Sequence, residues 1–111
     1  FTAELGQEVA SVIDMMKEHG ISQLPVVDGA EIVGLINETD LLDHLLGDGD
    51  RDDAIDELVE TQFAIVESDD KVNMIGEFFK HNKVVIVVDE DDEPMGIVTK
   101  IDFIDYVSDR M

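Results

Sequence analysis

The apolar positions near the N-terminus recur at the spacing of one face of an α-helix. The positions are Val9, Val12, Ile13 and Met16. Residues three and four apart lie on the same side of a helix, so this spacing predicts an amphipathic helix that packs its apolar side on a core. An extended segment at residues 1–3 is predicted to precede it.

Two short apolar stretches follow this helix. The run from Leu24 to Val27 is typical of a buried strand, and a second strand is predicted over 31–36. Asp28 and Gly29 stand between the two strands, and this residue pair favours a tight turn. A helix predicted over 38–46 completes the set. The predicted order is therefore strand, helix, strand, turn, strand, helix.

The same pattern recurs at a period of 62 residues. The recurring anchors are His19 and His81, Gly34 and Gly96, and Asp40 and Asp102. The second copy is predicted to contain an extended segment at 63–66, a helix with Val72, Ile75 and Phe79 on one face, strands at 84–88 and 95–98 around the charged loop Asp89 to Pro94, and a helix at 100–107. This duplication indicates that the chain is built from two copies of one structural unit.

The stretch between the copies is rich in glycine and aspartate. Residues 47–53 have the composition of a solvated loop, and a short helix is predicted at 54–59. We therefore predict repeat 1 at 1–46, an acidic linker with a short helix at 47–60, and repeat 2 at 61–111. A unit of about 50 residues buries too little apolar surface to be stable alone. The predicted fold class is α/β (α+β), with two β-α-β-β-α repeats related by a pseudo-twofold axis and packed through their small sheets.

The charge balance excludes several classes of partner. The chain has 28 acidic and 7 basic residues and a formal net charge of −21. Binding to nucleic acid or to an anionic membrane surface needs clustered Lys and Arg, so neither is expected. The acidic excess fits a well-solvated surface, and it also fits a high-salt habitat. No apolar run approaches the ~18 residues of a membrane helix, so membrane insertion is not expected either.

The residue inventory also narrows the chemistry. The chain contains no cysteine, which excludes disulfides, thiolate metal sites and cysteine nucleophiles and fits an intracellular protein. We therefore expect a cytoplasmic location. The run from Asp48 to Asp52 lacks the ligand spacing of a calcium loop, and no nucleophile–base arrangement or phosphate-binding glycine loop supports catalysis. Because the first residue is Phe1 and the last predicted helix lies close to the last residue, we expect a C-terminal module cut from a longer chain.

The junction between the last strand and the last helix of each copy carries a spaced motif. The second copy reads Gly96-Ile97-Val98-Thr99-Lys100-Ile101-Asp102, and the first copy keeps Gly34 and Asp40 but has Asn37 where threonine is usual. Together with the duplicated order of elements and the run Ile21 to Asp28, this motif resembles a tandem cystathionine-β-synthase-type (CBS) domain pair, also called a Bateman module, over essentially the whole chain. In detail the chain resembles the C-terminal regulatory region of cystathionine β-synthase.

The resemblance implies that the chain binds an adenosyl ligand. In such pairs the motif aspartate binds the ribose, the threonine contacts the sugar or first phosphate, and the adenine packs on the opening segment and first strand of the other repeat. A carboxylate accepts two hydrogen bonds at once, which suits two vicinal ribose hydroxyls, and a helix N-terminus adds N–H donors. The better predicted site comprises Thr99, Ile101 and Asp102 with Thr2, Ala3, Ile21 and Gln23. The weaker predicted site comprises Asn37, Thr39 and Asp40 with Phe63, Ala64 and Val84.

Both motifs also have a purely structural interpretation. Thr99 with Asp102, and Asn37 with Asp40, are variants of the capping box that begins many helices. The structural role and the ligand-binding role are not exclusive, because the same threonine can cap the helix when no ligand is bound.

The three histidines are interpreted as structural residues. His19 and His81 are each expected to end a helix, where a histidine cation favours the negative end of the helix dipole. His44 is expected to stand alone and solvated on its helix.

The leading functional hypothesis is a regulatory module that is not itself an enzyme. It binds an adenosyl ligand and allosterically controls an attached or partner protein, such as a cystathionine β-synthase-like enzyme. S-adenosylmethionine is favoured over AMP, ADP or ATP, because its sulfonium and ammonium groups approach an acidic chain with the field and no arginine is expected near either site to clamp phosphates. The resemblance also implies a homodimer formed through the repeats.

A second hypothesis is a purely structural dimerisation pair whose ligand sites have decayed. Its parent would be a transporter, a dehydrogenase or a stand-alone protein. Asn37 favours decay at one site, whereas the intact pair of Thr99 and Asp102 argues against decay at the other.

Overall fold

The structure, a computed structural model, describes residues 1–67, 76–82 and 84–109. The chain divides into two compact units, Phe1–Thr61 (unit 1) and Gln62–Met111 (unit 2). Each unit is described by itself below.

Unit 1 contains one three-stranded sheet, two α-helices and a 3₁₀ helix. Strand β1 (Ala3–Glu4) runs parallel to β2 (Gln23–Asp28), and β2 runs antiparallel to β3 (Glu31–Asn37), in the order β1-β2-β3. The turn between β2 and β3 contains Gly29 with φ +63°, a left-handed conformation that glycine adopts without strain. The elements are β1 (Ala3–Glu4), α1 (Val9–His19), β2 (Gln23–Asp28), β3 (Glu31–Asn37), α2 (Glu38–Leu46) and the 3₁₀ helix (Ile55–Leu58).

Helix α1 buries the face that the apolar spacing predicted. Val9, Val12 and Met16 are buried, and Ile13 packs beside them as a half-buried residue. The helix ends at Gly20, whose left-handed backbone lets its N–H reach the Met16 carbonyl. The predicted first helix is therefore confirmed, together with its core face.

The N-terminus of α1 is completed by the acidic loop that follows α2. The N–H of Val9 donates to the Asp53 carbonyl at 2.9 Å, and the N–H of Ala10 donates to the Arg51 carbonyl at 3.0 Å. No side chain caps this helix, so the loop carbonyls satisfy N–H groups that a helix start otherwise leaves unpaired. The loop side chains are mostly exposed, as predicted, but its backbone is part of unit 1.

The segment after this loop packs into unit 1 as well. Ile55 is completely buried in the core cluster, and Leu58 and Val59 pack against that cluster. Glu60 then pairs with Leu35 of β3, with N–H to carbonyl distances of 3.0 and 2.7 Å. A Cβ atom on Gly34 would overlap the Glu60 carbonyl oxygen and the Val59 side chain, so glycine is required at this close approach.

Unit 2 repeats the sheet topology of unit 1. Strand β4 (Phe63–Glu67) runs parallel to β5 (Val84–Val88), and β5 runs antiparallel to β6 (Pro94–Thr99). Helix α3 (Lys100–Asp109) follows β6 directly. Residues 76–78 are helical, and Phe79 beyond them is buried, as the apolar spacing predicted. The other two residues predicted on that helix face, Val72 and Ile75, lie outside the described residues.

The described core of unit 2 centres on Val66, Phe79 and Val85. The rings of Phe79 and Phe103 lie 5.6 Å apart, which fixes α3 against this core. Helix α3 nevertheless has no fully buried residue, and the Ile101 and Ile104 side chains are exposed.

The predicted fold class is confirmed, because two small three-stranded sheets alternate with helices in the predicted order. The prediction for His44 is wrong. Its side chain is only 20% exposed, and its Nε2 lies 3.0 Å from Asp53 Oδ2. Within the described residues, no helix is both long enough and apolar enough to cross a membrane.

Candidate functional site

The predicted binding residues of repeat 1 meet at one end of the unit 1 sheet. Gln23, at the start of β2, is paired with Asn37, at the end of β3. The N–H of Glu38 donates to the Ser22 carbonyl at 2.9 Å, which fixes the start of α2 beside the segment before β2. The antiparallel register therefore brings Ile21 and Gln23 next to the N-terminus of α2.

Asn37 is the N-cap of α2. Its Oδ1 accepts a hydrogen bond from the Asp40 N–H at 2.9 Å, and its backbone is extended, as an N-cap requires. The predicted capping role is confirmed. The Asp40 carboxylate accepts no hydrogen bond from the described residues, so its acceptor capacity remains available to a ligand.

Asp40 also lines a polar cleft of unit 1 with a volume of about 430 Å³. The cleft lies between α2 and the segment that packs after the acidic loop, and four of its lining residues are acidic. They are Asp40, Asp43, Glu57 and Glu60. His44 is a fifth ionisable lining residue. A cleft with this lining favours a cationic group over a phosphate.

The predicted binding residues of repeat 2 also meet at one sheet end. Phe63 is paired with Val84, and Val84 is paired with Thr99, so the three residues form a row across β4, β5 and β6. Asp102 lies in the first turn of α3, immediately after this row.

Asp102 folds back on Thr99 in this structure. Its Oδ2 accepts hydrogen bonds from the Thr99 N–H at 3.1 Å and from the Thr99 Oγ1 hydroxyl at 3.0 Å. The return bond from the Asp102 N–H to Thr99 Oγ1 is long, at 3.5 Å. The pair is thus a capping box in which the carboxylate already has partners, unlike Asp40 in unit 1.

Burial separates the predicted site residues into three groups. Ala3 and Val84 are buried. The half-buried residues are Thr2, Ile21, Gln23, Asn37, Asp40, Phe63, Ala64 and Thr99. The exposed residues are Thr39, Ile101 and Asp102. The pairing of the residues of one repeat with those of the other remains a prediction.

The sequence did not reveal the other ionisable residues of the unit 1 cleft. Glu57 and Glu60 reach it only because the segment before unit 2 packs against α2 and β3, which is a tertiary contact. Their acidic character within a chain of net charge −21 gave no signal that would have set them apart.

The acidic loop contains a second polar cluster beside this cleft. Asp53 Oδ2 accepts the Asp50 N–H at 2.8 Å and lies 3.0 Å from His44 Nε2. The hydrogen bond from Asp50 and, after it, the contact with His44 hold the pKa of the Asp53 carboxyl below its ordinary value. The pair joins α2 to the loop that completes the start of α1.

The fold and the motif geometry define a tandem module of two small α+β units, each with an aspartate in the first turn of the helix that follows its last strand. The family model for the CBS domain matches residues 1–47 and 53–109. The chain therefore belongs to the CBS domain family and is a CBS domain pair. The predicted resemblance is confirmed. CBS domain pairs are regulatory modules that bind adenosyl ligands, and the module itself is not catalytic.

Solved structures of other CBS proteins share this fold over most or all of the chain. The CBS domain pair of protein MJ0100, solved with 5′-methylthioadenosine and S-adenosyl-L-methionine, is 24% identical with a TM-score of 0.73, covering 100% of this chain and 90% of that one. A CBS domain-containing protein of unknown function from Bacillus anthracis is 18% identical with a TM-score of 0.73, covering 100% and 86%. The CBS domain of a bacterial CNNM/CorC family Mg²⁺ transporter is 23% identical with a TM-score of 0.74, covering 96% and 67%.

Proposed function

We propose that this chain is a regulatory module that binds an adenosyl ligand and passes the binding event to an attached or partner protein. The observation that carries the proposal is the position of Asp40 and Asp102. Each aspartate lies in the first turn of a helix, beside the end of the last strand of its unit. A carboxylate in that position can accept both vicinal hydroxyls of a ribose, next to N–H groups of the helix start.

In unit 2 the ligand replaces a contact within the protein. The Thr99 hydroxyl and N–H both donate to Asp102 in this structure. On binding, the ribose hydroxyls take over the Asp102 carboxylate, and Thr99 turns its hydroxyl to the sugar or first phosphate. The exposed Ile101 side chain then covers one side of the ligand.

In unit 1 the carboxylate needs no such rearrangement. Asn37 caps α2 through its own amide oxygen and leaves the Asp40 carboxylate without a described hydrogen-bond donor. The asparagine is therefore compatible with ligand binding, although it lacks the threonine hydroxyl. Thr2, Ile21 and Gln23 of the same unit are half-buried, and we assign them to the site of Asp102 and not to that of Asp40.

S-adenosylmethionine is the ligand that we propose in preference to AMP, ADP or ATP. The net charge is −21, and the cleft beside Asp40 is lined by Asp43, Glu57 and Glu60. A ligand with a sulfonium and an ammonium group is attracted by the negative potential of such a surface, whereas an anionic nucleotide is repelled by it. The relative MJ0100, which binds S-adenosyl-L-methionine and 5′-methylthioadenosine, adds a precedent from the same fold.

The test is a thermal-shift series of this chain with S-adenosylmethionine, adenosine, AMP, ADP and ATP. A ligand present at 100 times its dissociation constant stabilises the fold by roughly 2.7 kcal/mol. For a chain of this size we expect a rise in Tm on the order of 10 °C. The rise should be largest with S-adenosylmethionine and should fall when Asp102 or Asp40 is replaced by alanine.

A matched control separates the loss of ligand binding from the general effect of removing a carboxylate from α3. Asp105 lies one turn further along α3 and is exposed, so Asp105→Ala should leave the ligand-induced shift unchanged. If a nucleotide raised Tm more than S-adenosylmethionine does, the proposed ligand would be wrong, but the proposal of a regulatory module that binds an adenosyl ligand would stand. The absence of any shift at millimolar concentration would favour the structural dimerisation pair with decayed sites.

We further propose that the chain forms a homodimer through its helices. An apolar groove of about 470 Å³ lies between α1 and α2, and six of its lining residues are apolar: Ile13, Met16, Ile21, Leu41, Leu42 and Leu45. Leu42 is 55% exposed and continues the apolar surface of this groove, and a contiguous exposed apolar surface often marks a protein–protein interface. Sedimentation equilibrium should give a dimer that Leu42→Glu converts to a monomer, whereas Glu38→Gln on the groove rim should leave it dimeric.

The regulated protein that we propose is a cystathionine β-synthase-like enzyme in the cytoplasm, attached to the module or bound as a partner. The support is the resemblance in sequence, together with the absence of cysteine. The module itself has no proposed catalytic residue.

A further inference from the structure

The carboxylates of the two motif aspartates differ in their hydrogen bonds. The Asp40 carboxylate accepts no hydrogen bond from the described residues, and Asp40 is half-buried beside the polar cleft of unit 1. Asp102 is exposed, yet its Oδ2 accepts both the Thr99 N–H at 3.1 Å and the Thr99 hydroxyl at 3.0 Å. The residue before each helix is asparagine in one copy and threonine in the other, so the two copies differ at the position that contacts the aspartate.

The chemistry of these two side chains accounts for part of the difference. The Asn37 amide oxygen is only an acceptor, so it bonds to the Asp40 N–H at 2.9 Å and has no proton to give to the carboxylate. The Thr99 hydroxyl is both a donor and an acceptor. Its proton goes to Asp102 Oδ2, whereas its distance to the Asp102 N–H is 3.5 Å, which is long for a hydrogen bond. The threonine hydroxyl therefore binds the carboxylate more closely than it caps the helix.

A ribose needs the oxygen atom that Thr99 occupies. Two vicinal hydroxyls are held by a carboxylate when each of them donates to one of its oxygens, and each oxygen has about two lone-pair sites. The N–H and the hydroxyl of Thr99 fill both sites on Asp102 Oδ2. A ribose that is held by both oxygens must therefore displace the Thr99 hydroxyl. In unit 1 neither oxygen of Asp40 has a described donor to displace.

The displaced hydroxyl regains only part of this bond when the ligand is S-adenosylmethionine. A hydrogen bond to an ionised acceptor is roughly twice as strong as one between neutral groups. S-adenosylmethionine has no 5′-phosphate, so the acceptors that its ribose offers to Thr99 are neutral oxygens. The exchange of the carboxylate for a sugar oxygen therefore reduces the net free energy of binding at Asp102.

We propose that Thr99 competes with the ligand for Asp102 and thereby raises the ligand concentration at which the unit 2 site fills. The inference rests on the proposed function, because it concerns the same ribose contact. It gives Thr99 an effect on affinity opposite to that of the simple ligand contact which the family resemblance implies. Asn37 does not compete in this way, so Asp40 accepts both hydroxyls without losing a bond within the protein.

The test exchanges the two residues and measures the affinity for S-adenosylmethionine by isothermal titration calorimetry. In an Asp40→Ala background, Thr99→Asn removes the competing hydroxyl and should tighten binding about three- to tenfold. In an Asp102→Ala background, Asn37→Thr introduces that hydroxyl beside Asp40 and should weaken binding by a similar factor. Each comparison is made within one site, so the other residues of that site contribute equally to both affinities. Ser108→Asn in the last turn of α3 is the matched control and should leave the affinity unchanged.

A second arm separates competition from a general structural effect of Thr99. The AMP phosphate can accept the displaced hydroxyl as a charged group, so Thr99→Asn should tighten the binding of S-adenosylmethionine and adenosine more than that of AMP. A purely structural effect would change all three affinities alike. Both asparagine and threonine cap helices well, so circular dichroism should show an intact fold in each variant.

The outcomes distinguish this inference from the proposed function. Weaker or unchanged binding of S-adenosylmethionine to the Thr99→Asn variant overturns the competition and leaves the proposed function standing. Unchanged binding to the Asn37→Thr variant overturns it in the same way. If the parent chain binds none of the three ligands at millimolar concentration, the proposed function is wrong and the competition falls with it.

Discussion

Gly34 and Gly96 hold the same place in the two copies, yet their surroundings differ completely. Gly34 lies under the backbone of Glu60, with no room for a Cβ atom, whereas no described atom lies within 4 Å of a Cβ atom placed on Gly96. The same motif residue therefore has a packing role in unit 1 that no contact among the described residues gives it in unit 2. The comparison shows that residues 54–60 belong to the packed fold of unit 1, although the repeat pattern in the sequence does not include them.

Among the substitutions that test this comparison, Ile55→Ala is expected to have the largest effect on stability. Ile55 is completely buried in the core of unit 1, although it lies in the segment between the repeats. Removing its side chain should destabilise the fold by about 2–5 kcal/mol. Ile101 in unit 2 is 62% exposed, so Ile101→Ala should change stability by less than about 0.5 kcal/mol. Urea unfolding measures the loss of stability in both variants. If Ile55→Ala cost no more than Ile101→Ala, residues 54–60 would not be part of the core.

The paired substitutions Gly34→Ala and Gly96→Ala compare the two motif glycines directly. A methyl group on Gly34 must displace the Glu60 backbone, which should cost about 1–3 kcal/mol. The same change at Gly96 meets nothing and should be neutral within about 0.5 kcal/mol. Thermal unfolding followed by circular dichroism separates the two variants. An equal loss at Gly96 would mean that its strand edge is covered.

Replacing the residues that cap α2 and α3 should change stability by smaller amounts. Asn37→Ala removes the acceptor for the Asp40 N–H, a bond of 2.9 Å, and should cost about 1 kcal/mol. Thr99→Ala should cost about half as much, since its hydroxyl is 3.5 Å from the Asp102 N–H and the Asp102 carboxylate keeps the Thr99 N–H. Denaturant midpoints measured side by side decide the order, and a larger loss for Thr99→Ala would contradict it.

The smallest expected effect is a pH dependence that belongs to unit 1. The pKa of Asp53 is lowered by the Asp50 N–H and by His44, so its ionised form stabilises the fold. That contribution is present above the pKa of the unfolded carboxyl and is lost as pH falls through the lower pKa of the folded state. Asp53→Asn should therefore flatten the dependence of Tm on pH below about pH 4. Asp109→Asn in α3 serves as the control and should leave the slope unchanged.

Much of the fold could be predicted because its signals are local. The spacing of Val9, Val12 and Met16 follows from the helical period, and the bounds predicted for α2 and for β5 match those observed. The motif aspartates were found for the same reason, since a strand, an N-cap residue and a helix start are adjacent in the chain. The sequence therefore predicted individual candidate residues for the site, but it did not establish which of them lie next to one another.

What the sequence did not reveal depends on contacts between distant residues. His44 was predicted to be solvated, because nothing near it in the helix indicates a partner, yet it lies 3.0 Å from Asp53 in the following loop. The carbonyls of Arg51 and Asp53 complete a helix that begins more than 40 residues earlier. Backbone carbonyls are the same in every residue type, so the amino-acid composition gives no indication that a loop completes a helix start.

The sequence by itself determined the duplicated order of strands and helices, the buried faces and the two motif aspartates, because periodicity and capping are properties of neighbouring residues. Only the tertiary structure decided that residues 54–60 complete unit 1, with Ile55 in its core and Glu60 paired with Leu35. It also decided that Asp102 bonds to Thr99 while Asp40 remains available. These outcomes depend on which backbone groups come within hydrogen-bonding distance, and the folded chain sets that distance.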